Sequence, residues 1–210
     1  MKFKWLVGLG MVVGLAALVV WLVPAPRGQA AAPFLALSRV PVPEMPAKAA
    51  DLVQAAAVLE RESTAAAVLR DVNTMARPGV MPYVVSAICQ RNPEVAGAVV
   101  AAAIKLQPDD EPAFCRAAVC AAPDRVEQVV ASACAVAPAS FANVALVVFQ
   151  RWPDANCLIL DGLTNALPAL KPYLDQAARQ GGTNGFPALI NQTVQLVAAA
   201  AKAESRKQQP

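Results

Sequence analysis

Prolines recur at a spacing of 15 residues between positions 78 and 168, and this spacing constrains the fold more than any other feature. Seven prolines stand in one unbroken phase: Pro78, Pro93, Pro108, Pro123, Pro138, Pro153 and Pro168. Self-similarity at a fixed period is the sequence signature of a repeat architecture. We therefore predict that residues 78–182 consist of seven copies of one small structural unit, numbered here 1 to 7.

Within each unit the apolar residues follow a helical period. If the proline is position 1, positions 4, 7, 8 and 11 are mostly apolar, which is typical of one buried helix face. Position 10 is small in six units, with Val147 as the exception, and small residues let neighbouring helices approach closely. Position 7 is apolar in every unit: Val84, Val99, Phe114, Val129, Val144, Ile159 and Leu174. Each unit is thus predicted to be one short helix that only packing can stabilise.

A second period, twice as long as the first, underlies it. Pro82, Pro112 and Pro172 occupy position 5 of units 1, 3 and 7, whereas no even unit has proline there. The pattern predicts that two consecutive units form one antiparallel helical hairpin, and stacked hairpins form an α-solenoid. We expect an all-α, right-handed α-solenoid built on this 30-residue frame.

The ends of the chain deviate from the repeat. Residues 48–77 are interpreted as two less regular helices that cap the amino end of the stack. The segment 187–203 is interpreted as one longer amphipathic helix that caps the other end. The helical-repeat domain is therefore predicted to span residues 48–204, and residues 205–210 are expected to form a disordered tail.

The amino terminus has the features of an export or anchoring signal. Lys2 and Lys4 precede residues 5–23, which carry no charge. One interpretation is a signal peptide over residues 1–30, cleaved near Ala30. The other is a single-pass inner-membrane anchor, since 19 apolar residues span roughly 28 Å as a helix. Either way residues 31–210 face the periplasm or are released as a periplasmic or secreted protein.

The segment 31–47 contains four prolines: Pro33, Pro41, Pro43 and Pro46. Proline fixes the backbone angle φ and removes a hydrogen-bond donor, so that proline-rich segments are often extended and semi-rigid. We expect a linker between the amino-terminal segment and the repeat domain.

Composition argues against several classes of function. The chain has no histidine, which rules out Ser-His-Asp and Cys-His nucleophile systems. The net charge is +3, and residues 78–182 hold seven Lys or Arg against nine Asp or Glu, which is no footprint for nucleic acid. We predict no catalytic residue, no metal ligand and no cofactor, and we expect the protein not to be an enzyme.

Five cysteines are the most reactive groups in the chain. Cysteine often serves as a small apolar residue in a helical core. The alternative is a disulfide, which an oxidising compartment permits. On parallel helices Cys89 and Cys120 would lie at the same end and form the first candidate pair. Cys115 with Cys134 is a weaker candidate, and Cys157 is left over.

Three further groups have both a structural and a functional interpretation. The run Asp109–Glu111 suits the first turn of a helix, although it could also bind a cation. Tyr83 and Tyr173, at position 6 of two odd units, are expected to pack and not to form a binding site. Phe149 and Trp152 are expected to fill the core, with a contact surface as the alternative.

Three functions remain for such a chain. We expect an envelope protein whose helical repeat binds a protein partner along one face. The first alternative is a structural envelope or surface protein that assembles with itself. The second is a small-molecule carrier or enzyme, which would need a deep pocket lined by Asp161, Lys171 or the cysteines. Exposed apolar residues at the ends of the stack would favour self-assembly, whereas an apolar lateral groove would favour a partner.

Overall fold

A computed structural model describes residues 33–75, 79–181 and 185–207 of the 210-residue chain. These ranges contain eleven α-helices and eight single 3₁₀ turns, and no β-strand occurs within them. The α-helices are α1 (Pro33–Ser38), α2 (Met45–Ala55), α3 (Arg61–Thr74), α4 (Met81–Arg91), α5 (Ala96–Leu106), α6 (Glu111–Ala121), α7 (Val126–Val136), α8 (Phe141–Arg151), α9 (Asn156–Ala166), α10 (Lys171–Gly181) and α11 (Gly185–Lys207). The prediction of an all-α fold of short repeated helices is confirmed.

Each unit has the same local structure. Helices α4 to α10 are all of the same length, 11 residues. Each helix from α5 to α10 follows a 3₁₀ turn that begins at a phased proline. One residue at position 15 separates a helix from the next turn, with φ between −138° and −124° and ψ between 68° and 80°. Proline disfavours the α-helical conformation for the residue before it, so each helix from α4 to α9 ends at this point. Pro78, the first of the series, lies outside the described residues.

The predicted apolar face is the buried face. In units 1 to 5, the residues at positions 4, 7, 8 and 11 are all buried, and position 7 is buried in all seven units. Position 12 joins this face in units 1 to 4. The one charged residue on this face in those five units is Glu111, at position 4 of unit 3.

Alternate helices pack side by side in two layers. Helices α2, α4, α6 and α8 form the first layer, and α3, α5, α7 and α9 form the second. Arg61, at the start of α3, donates a hydrogen bond to Glu94, just before α5. At the other end of the same two helices, Gln107, just after α5, donates from Nε2 to Oδ1 of Asn73, in the last turn of α3, at 2.8 Å. Thus α3 and α5 run in the same direction, and α4 carries the chain back between them.

Two glycines let the second layer close tightly on α7. A Cβ atom on Gly162 of α9 would lie 2.7 Å from the backbone oxygen of Glu127 and 2.9 Å from Cβ of Val130. A Cβ atom on Gly97 of α5 would lie 2.5 Å from Oγ of Ser132, on the other side of α7. Gly162 and Ser132 both occupy position 10, which agrees with the expectation that small residues there permit close helix approach.

The amino-terminal part of the domain differs from the expected extended linker over residues 31–47. This segment contains α1, a 3₁₀ turn at Val42–Glu44 and the start of α2. Leu37 and Met45 are completely buried. Its prolines did not prevent helix formation because the first turn of a helix needs no N–H donor. Pro46 is the second residue of α2, as Pro82 is of α4, so the helical stack begins before unit 1.

The carboxy-terminal helices end the first layer. Helix α10 keeps the local structure of a unit but packs mainly on α11, and α11 packs on α8. The rings of Phe186 at the start of α11 and Phe149 near the end of α8 stack with centroids 4.8 Å apart. Val194 and Val197 lie beside Phe141, at the start of α8, so α11 runs opposite to α8.

The place of α10 differs from the regular two-unit frame, in which α10 would follow α8 in the first layer. The physical reason lies in its sequence. Positions 4, 8 and 11 of unit 7 are Lys171, Asp175 and Ala178, and all three are exposed. Without the apolar face of the earlier units, α10 has little to bury against α8.

No helix in the described ranges is both long enough and apolar enough to span a bilayer. Residues 5–23, on which the prediction of a signal peptide or anchor rests, lie outside those ranges.

Replacing Gly162 with alanine should lower the free energy of unfolding by about 1–3 kcal/mol, because the new methyl group meets fixed backbone of α7. This loss should appear even though alanine favours an isolated helix by about 1 kcal/mol. Urea denaturation followed by circular dichroism measures the change. The comparison variant is Gly97→Ala, whose added Cβ atom would lie closest to side-chain atoms of Ser132 and Gln128 that can rotate away, and 3.1 Å from the backbone oxygen of Gln128. Its loss of stability should therefore be smaller than that of the Gly162 variant. Equal or greater stability of the Gly162 variant would show that the helices are not in close contact.

Candidate functional site

A groove opens on the side of the first layer between α2 and α4. It encloses about 500 Å³ and is called here the lateral groove. Its wall on the α2 side includes Val42 and Pro46, and its wall on the α4 side includes Val80, Tyr83, Ser86 and Gln90. Positions 6, 9 and 13 of unit 1 face this groove because positions 7, 8, 11 and 12 face the core.

Two large side chains of the lateral groove are exposed. Tyr83 is 69% exposed and Val42 is 46% exposed. Tyr83 was expected to pack, and its exposure differs from that expectation, whereas Tyr173 is half-buried. Position 6 in this layer points away from the core, and this places the tyrosine at the surface. A rigid aromatic ring beside apolar carbon is a favourable contact for a protein partner.

A similar groove of about 470 Å³ lies between α3 and α5 in the second layer. It is lined at the equivalent positions by Ala98, Ala101 and Lys105, with Glu62 and Arg70 opposite. None of these side chains offers a large exposed apolar surface. The same backbone geometry therefore gives two grooves of similar size, one lined by charged residues and alanines and the other by an exposed aromatic ring and an exposed valine.

The cysteines separate into buried and exposed thiols. Cys89, Cys115 and Cys134 are buried, and Cys120 and Cys157 are exposed. Burial raises the pKa of Cys89 and of Cys134 to about 12, and the Glu111 carboxyl also raises that of Cys134. Burial likewise raises the pKa of Cys115, with smaller contributions from Glu111 and Cys134.

All five cysteines are thiols in the structure. Their positions do not test which of them pair in an oxidising compartment. Cys115 and Cys134 share the buried region around Glu111. The first candidate pair joins a buried residue, Cys89 on α4, to an exposed one, Cys120 on α6. Both pairings therefore stay predictions.

Exposed Cys120 takes part in a contact between the ends of α6 and α8. Arg151 Nε donates to Cys120 Sγ at 3.0 Å, and Trp152 Nε1 donates to the backbone oxygen of Val119 at 3.2 Å. The guanidinium carbon of Arg151 lies 5.6 Å from the centre of the Trp152 ring. Trp152 is 37% exposed, whereas Phe149 packs on the carboxy-terminal cap. The contact holds neighbouring helices together and leaves part of the indole at the surface.

Glu111 is the buried acid that sequence analysis assigned to a helix start. Asp109 and Asp110 are exposed in the 3₁₀ turn, but Glu111 is only 4% exposed. The Ser140 hydroxyl hydrogen-bonds to its carboxyl group, and Oε1 has no hydrogen-bond partner. Burial raises the pKa of Glu111, and the bond with Ser140 opposes this shift. A carboxyl group in this setting weakens the core at neutral pH.

The structure does not bring the other candidate residues into a chemical site. Within the described ranges, no three or more Cys, Asp or Glu side chains cluster closely enough to hold a metal ion. Asp161 and Lys171 are both exposed, and neither lines the lateral groove or the groove between α3 and α5. Sequence analysis named an apolar lateral groove as a feature of a partner-binding protein but did not place it, because its position depends on where α2 begins.

Comparison of the chain with protein-family models, with curated proteins and with solved structures gives no match.

Thiol labelling should distinguish the two classes of cysteine. In the folded, reduced protein a maleimide should modify Cys120 and Cys157 only, because the other three thiols are buried and protonated at neutral pH. After unfolding in reducing conditions all five should react, as counted by intact-protein mass spectrometry. A protein isolated without reductant reports on the first candidate disulfide, because a Cys89–Cys120 bond would leave Cys157 as the one rapidly labelled residue. Fast labelling of Cys115 or Cys134 in the folded state would contradict the structure.

Replacing Glu111 with methionine, the residue at the same position of unit 1, should stabilise the fold by about 1–3 kcal/mol at neutral pH. The raised pKa means that the folded state favours the protonated carboxyl. The free energy of unfolding of the unmodified protein should therefore fall as the pH rises through that pKa. The Glu111→Met variant should not show this pH-dependent fall. Urea denaturation between about pH 4 and pH 8 measures it. Asp109→Asn, at an exposed neighbouring position, serves as the control and should keep the pH dependence of the unmodified protein. If the Glu111→Met variant has unchanged stability and unchanged pH dependence, Glu111 is solvated.

Proposed function

We propose that the protein is a non-enzymatic helical-repeat module that binds a protein partner on the non-cytoplasmic side of a membrane. The observation that carries this proposal is the lateral groove with exposed Tyr83 and Val42. Large side chains that are exposed next to one another in a concave surface are typical of interaction sites. Shape and apolar contact would provide the binding energy.

The proposed architecture is a right-handed α-solenoid in which each hairpin consists of two units. The parallel direction of α3 and α5, with α4 returning between them, supports the hairpin as the structural repeat. The packing of alternate helices through two layers supports a continuous stack. Solenoids of this kind bind partners along an extended surface, and each helix pair presents equivalent positions to that surface.

The lateral groove favours a short peptide segment of the partner with one large apolar side chain. Tyr83 offers an aromatic face with few side-chain rotations, so that binding loses little conformational entropy. Ser86 and Gln90 lie along the same wall and supply hydrogen-bond donors and acceptors at the edge. An apolar centre with a polar edge is the usual arrangement of a protein–protein interface.

The proposed location is the cell envelope. The two lysines before the uncharged residues 5–23 support export or anchoring. In this proposal the segment 5–23 is either retained as an inner-membrane anchor or removed by cleavage near Ala30. The proposal includes no cofactor, no metal and no nucleic-acid partner.

Photo-crosslinking in intact cells tests the proposal. A photoreactive phenylalanine analogue at position 83 should give one discrete adduct with a different protein. The matched control places the analogue at Asn143, the exposed position 6 of unit 5 in the same layer, and should give no such adduct. Equal adducts at both positions, or adducts containing this chain alone, would contradict the proposal. Val42→Asp on the opposite wall should lower the yield at position 83, because a charge there opposes apolar binding.

A further inference from the structure

The side chain of Cys120 faces α8 and not α4. Its Sγ accepts a hydrogen bond at 3.0 Å from Nε of Arg151, the last residue of α8. Helix α6 lies between α4 and α8 in the first layer. A bond with Cys89 on α4 would therefore require the Cys120 side chain to turn to the other side of α6. It would also have to join an exposed residue to a completely buried one.

Cys115 and Cys134 belong to one helical hairpin. Helices α6 and α7 are joined by the short connection 122–125 and pack against each other. Ser140, which closely follows the end of α7, hydrogen-bonds to Glu111, the first residue of α6. The start of α6 thus lies beside the end of α7, and the two helices are antiparallel.

The two cysteines lie at nearly the same level of this hairpin. Cys115 stands seven residues before the connection 122–125, and Cys134 stands nine residues after it. At about 1.5 Å per residue, their levels along the two helix axes differ by about 3 Å. Both side chains are completely buried, at positions 8 and 12 of the apolar face. The hairpin therefore places two thiols at one level of the core.

The ionisation of the two thiols is linked. Burial is the main cause of the raised pKa of both, and the Glu111 carboxyl raises the pKa of both further. Cys134 also raises the pKa of Cys115. Such charge effects fall with distance, and burial alone raises the pKa of the third buried thiol, Cys89. Of the three buried thiols, Cys115 and Cys134 are the two that interact.

We propose that Cys115 and Cys134 form a disulfide bond when the chain folds in an oxidising compartment, and that the other three cysteines stay thiols. The oxidant is a disulfide carried by another protein or by a small peptide. In the exchange the two protein thiols form one S–S bond. The disulfide of the oxidant is reduced to two thiols, which receive the two protons. In the cell this modification rests on the export proposed above, because cytosolic thiols are kept reduced.

Burial determines when the bond can form. The thiolate is the attacking species, and the raised pKa of both thiols leaves few thiolates in the folded protein at neutral pH. The bond should therefore form while α6 and α7 are still folding. Once the core has closed, the same burial should protect the bond from reductants.

Refolding of the full chain with glutathione tests the pairing. The protein, purified in a mild detergent, is unfolded in urea and reduced, and is then refolded with oxidised and reduced glutathione. The remaining thiols are blocked with a maleimide before digestion with trypsin. Trypsin separates all five cysteines, because Lys105, Arg116, Arg125 and Arg151 lie between them. Mass spectrometry should find peptide 106–116 linked to peptide 126–151, and the other three cysteines blocked.

Two valine variants provide the matched comparison. Cys115→Val introduces the residue that units 1, 2 and 4 have at position 8, and it should remove the linked peptide. Cys89→Val, at an equally buried position, is the control and should keep it. Circular dichroism checks that both variants fold. The oxidised natural sequence should unfold at a higher urea concentration than the reduced one, and the Cys115 variant should show no such difference.

A bond between any other two cysteines would overturn the proposal. Five blocked thiols after refolding with glutathione, or loss of the linked peptide in the Cys89 control, would do the same. The same peptide mapping on protein whose thiols are blocked at cell lysis separates the pairing from the location. The linked peptide in cells would support both. Free Cys115 and Cys134 in cells, together with the bond formed in glutathione, would support the pairing and overturn the proposed export.

Discussion

The steric effect of proline on the residue before it is the constraint on which this fold depends. Position 15 of units 1 to 6 is kept out of the helical conformation because a proline follows it, so the chain turns at the end of each helix from α4 to α9. The proline also begins the next 3₁₀ turn, where its missing N–H costs nothing. One residue type at one spacing thus both ends a helix and starts the following one. Helices of equal length can then align their buried positions across a layer, and this alignment produces the core.

Small side chains turn this alignment into close packing. Most of the buried face consists of valine and alanine, which fill little volume, and the helices must approach closely to bury enough apolar surface. Gly97 and Gly162 show the limit of this approach, since α7 contacts glycine on both sides.

Glu111 shows that the buried face is not apolar throughout. It occupies a position of the buried face that units 1, 2, 4 and 5 fill with apolar residues, and one of its carboxylate oxygens lacks a hydrogen-bond partner.

The repeat itself was predictable from sequence because its signal is local and recurs seven times. The burial of Val84, for example, follows from helical period alone. The start of the stack was not predictable in this way, because four prolines in residues 31–47 resemble a linker until Leu37 and Met45 are seen to be buried. The position of the lateral groove was not predictable for the same reason, because the groove forms where α2, outside the regular repeat, meets α4. The packing of α10 on α11, instead of on α8, was not predicted either. Its prolines follow the regular spacing, but its apolar face does not follow the pattern of the earlier units.

The docking of α11 on a first-layer helix has a consequence for how such a protein can change its length. Helix α11 docks on α8 through Phe149 and Phe186, and α8 belongs to the first layer. A duplication of two consecutive units inside the stack would add one helix to each layer and leave the last first-layer helix ready to receive α11. A duplication of a single unit would shift every later helix into the other layer and present α11 with the wrong face. Genetic growth or shortening of the domain is therefore compatible with its cap only in steps of a whole helix pair.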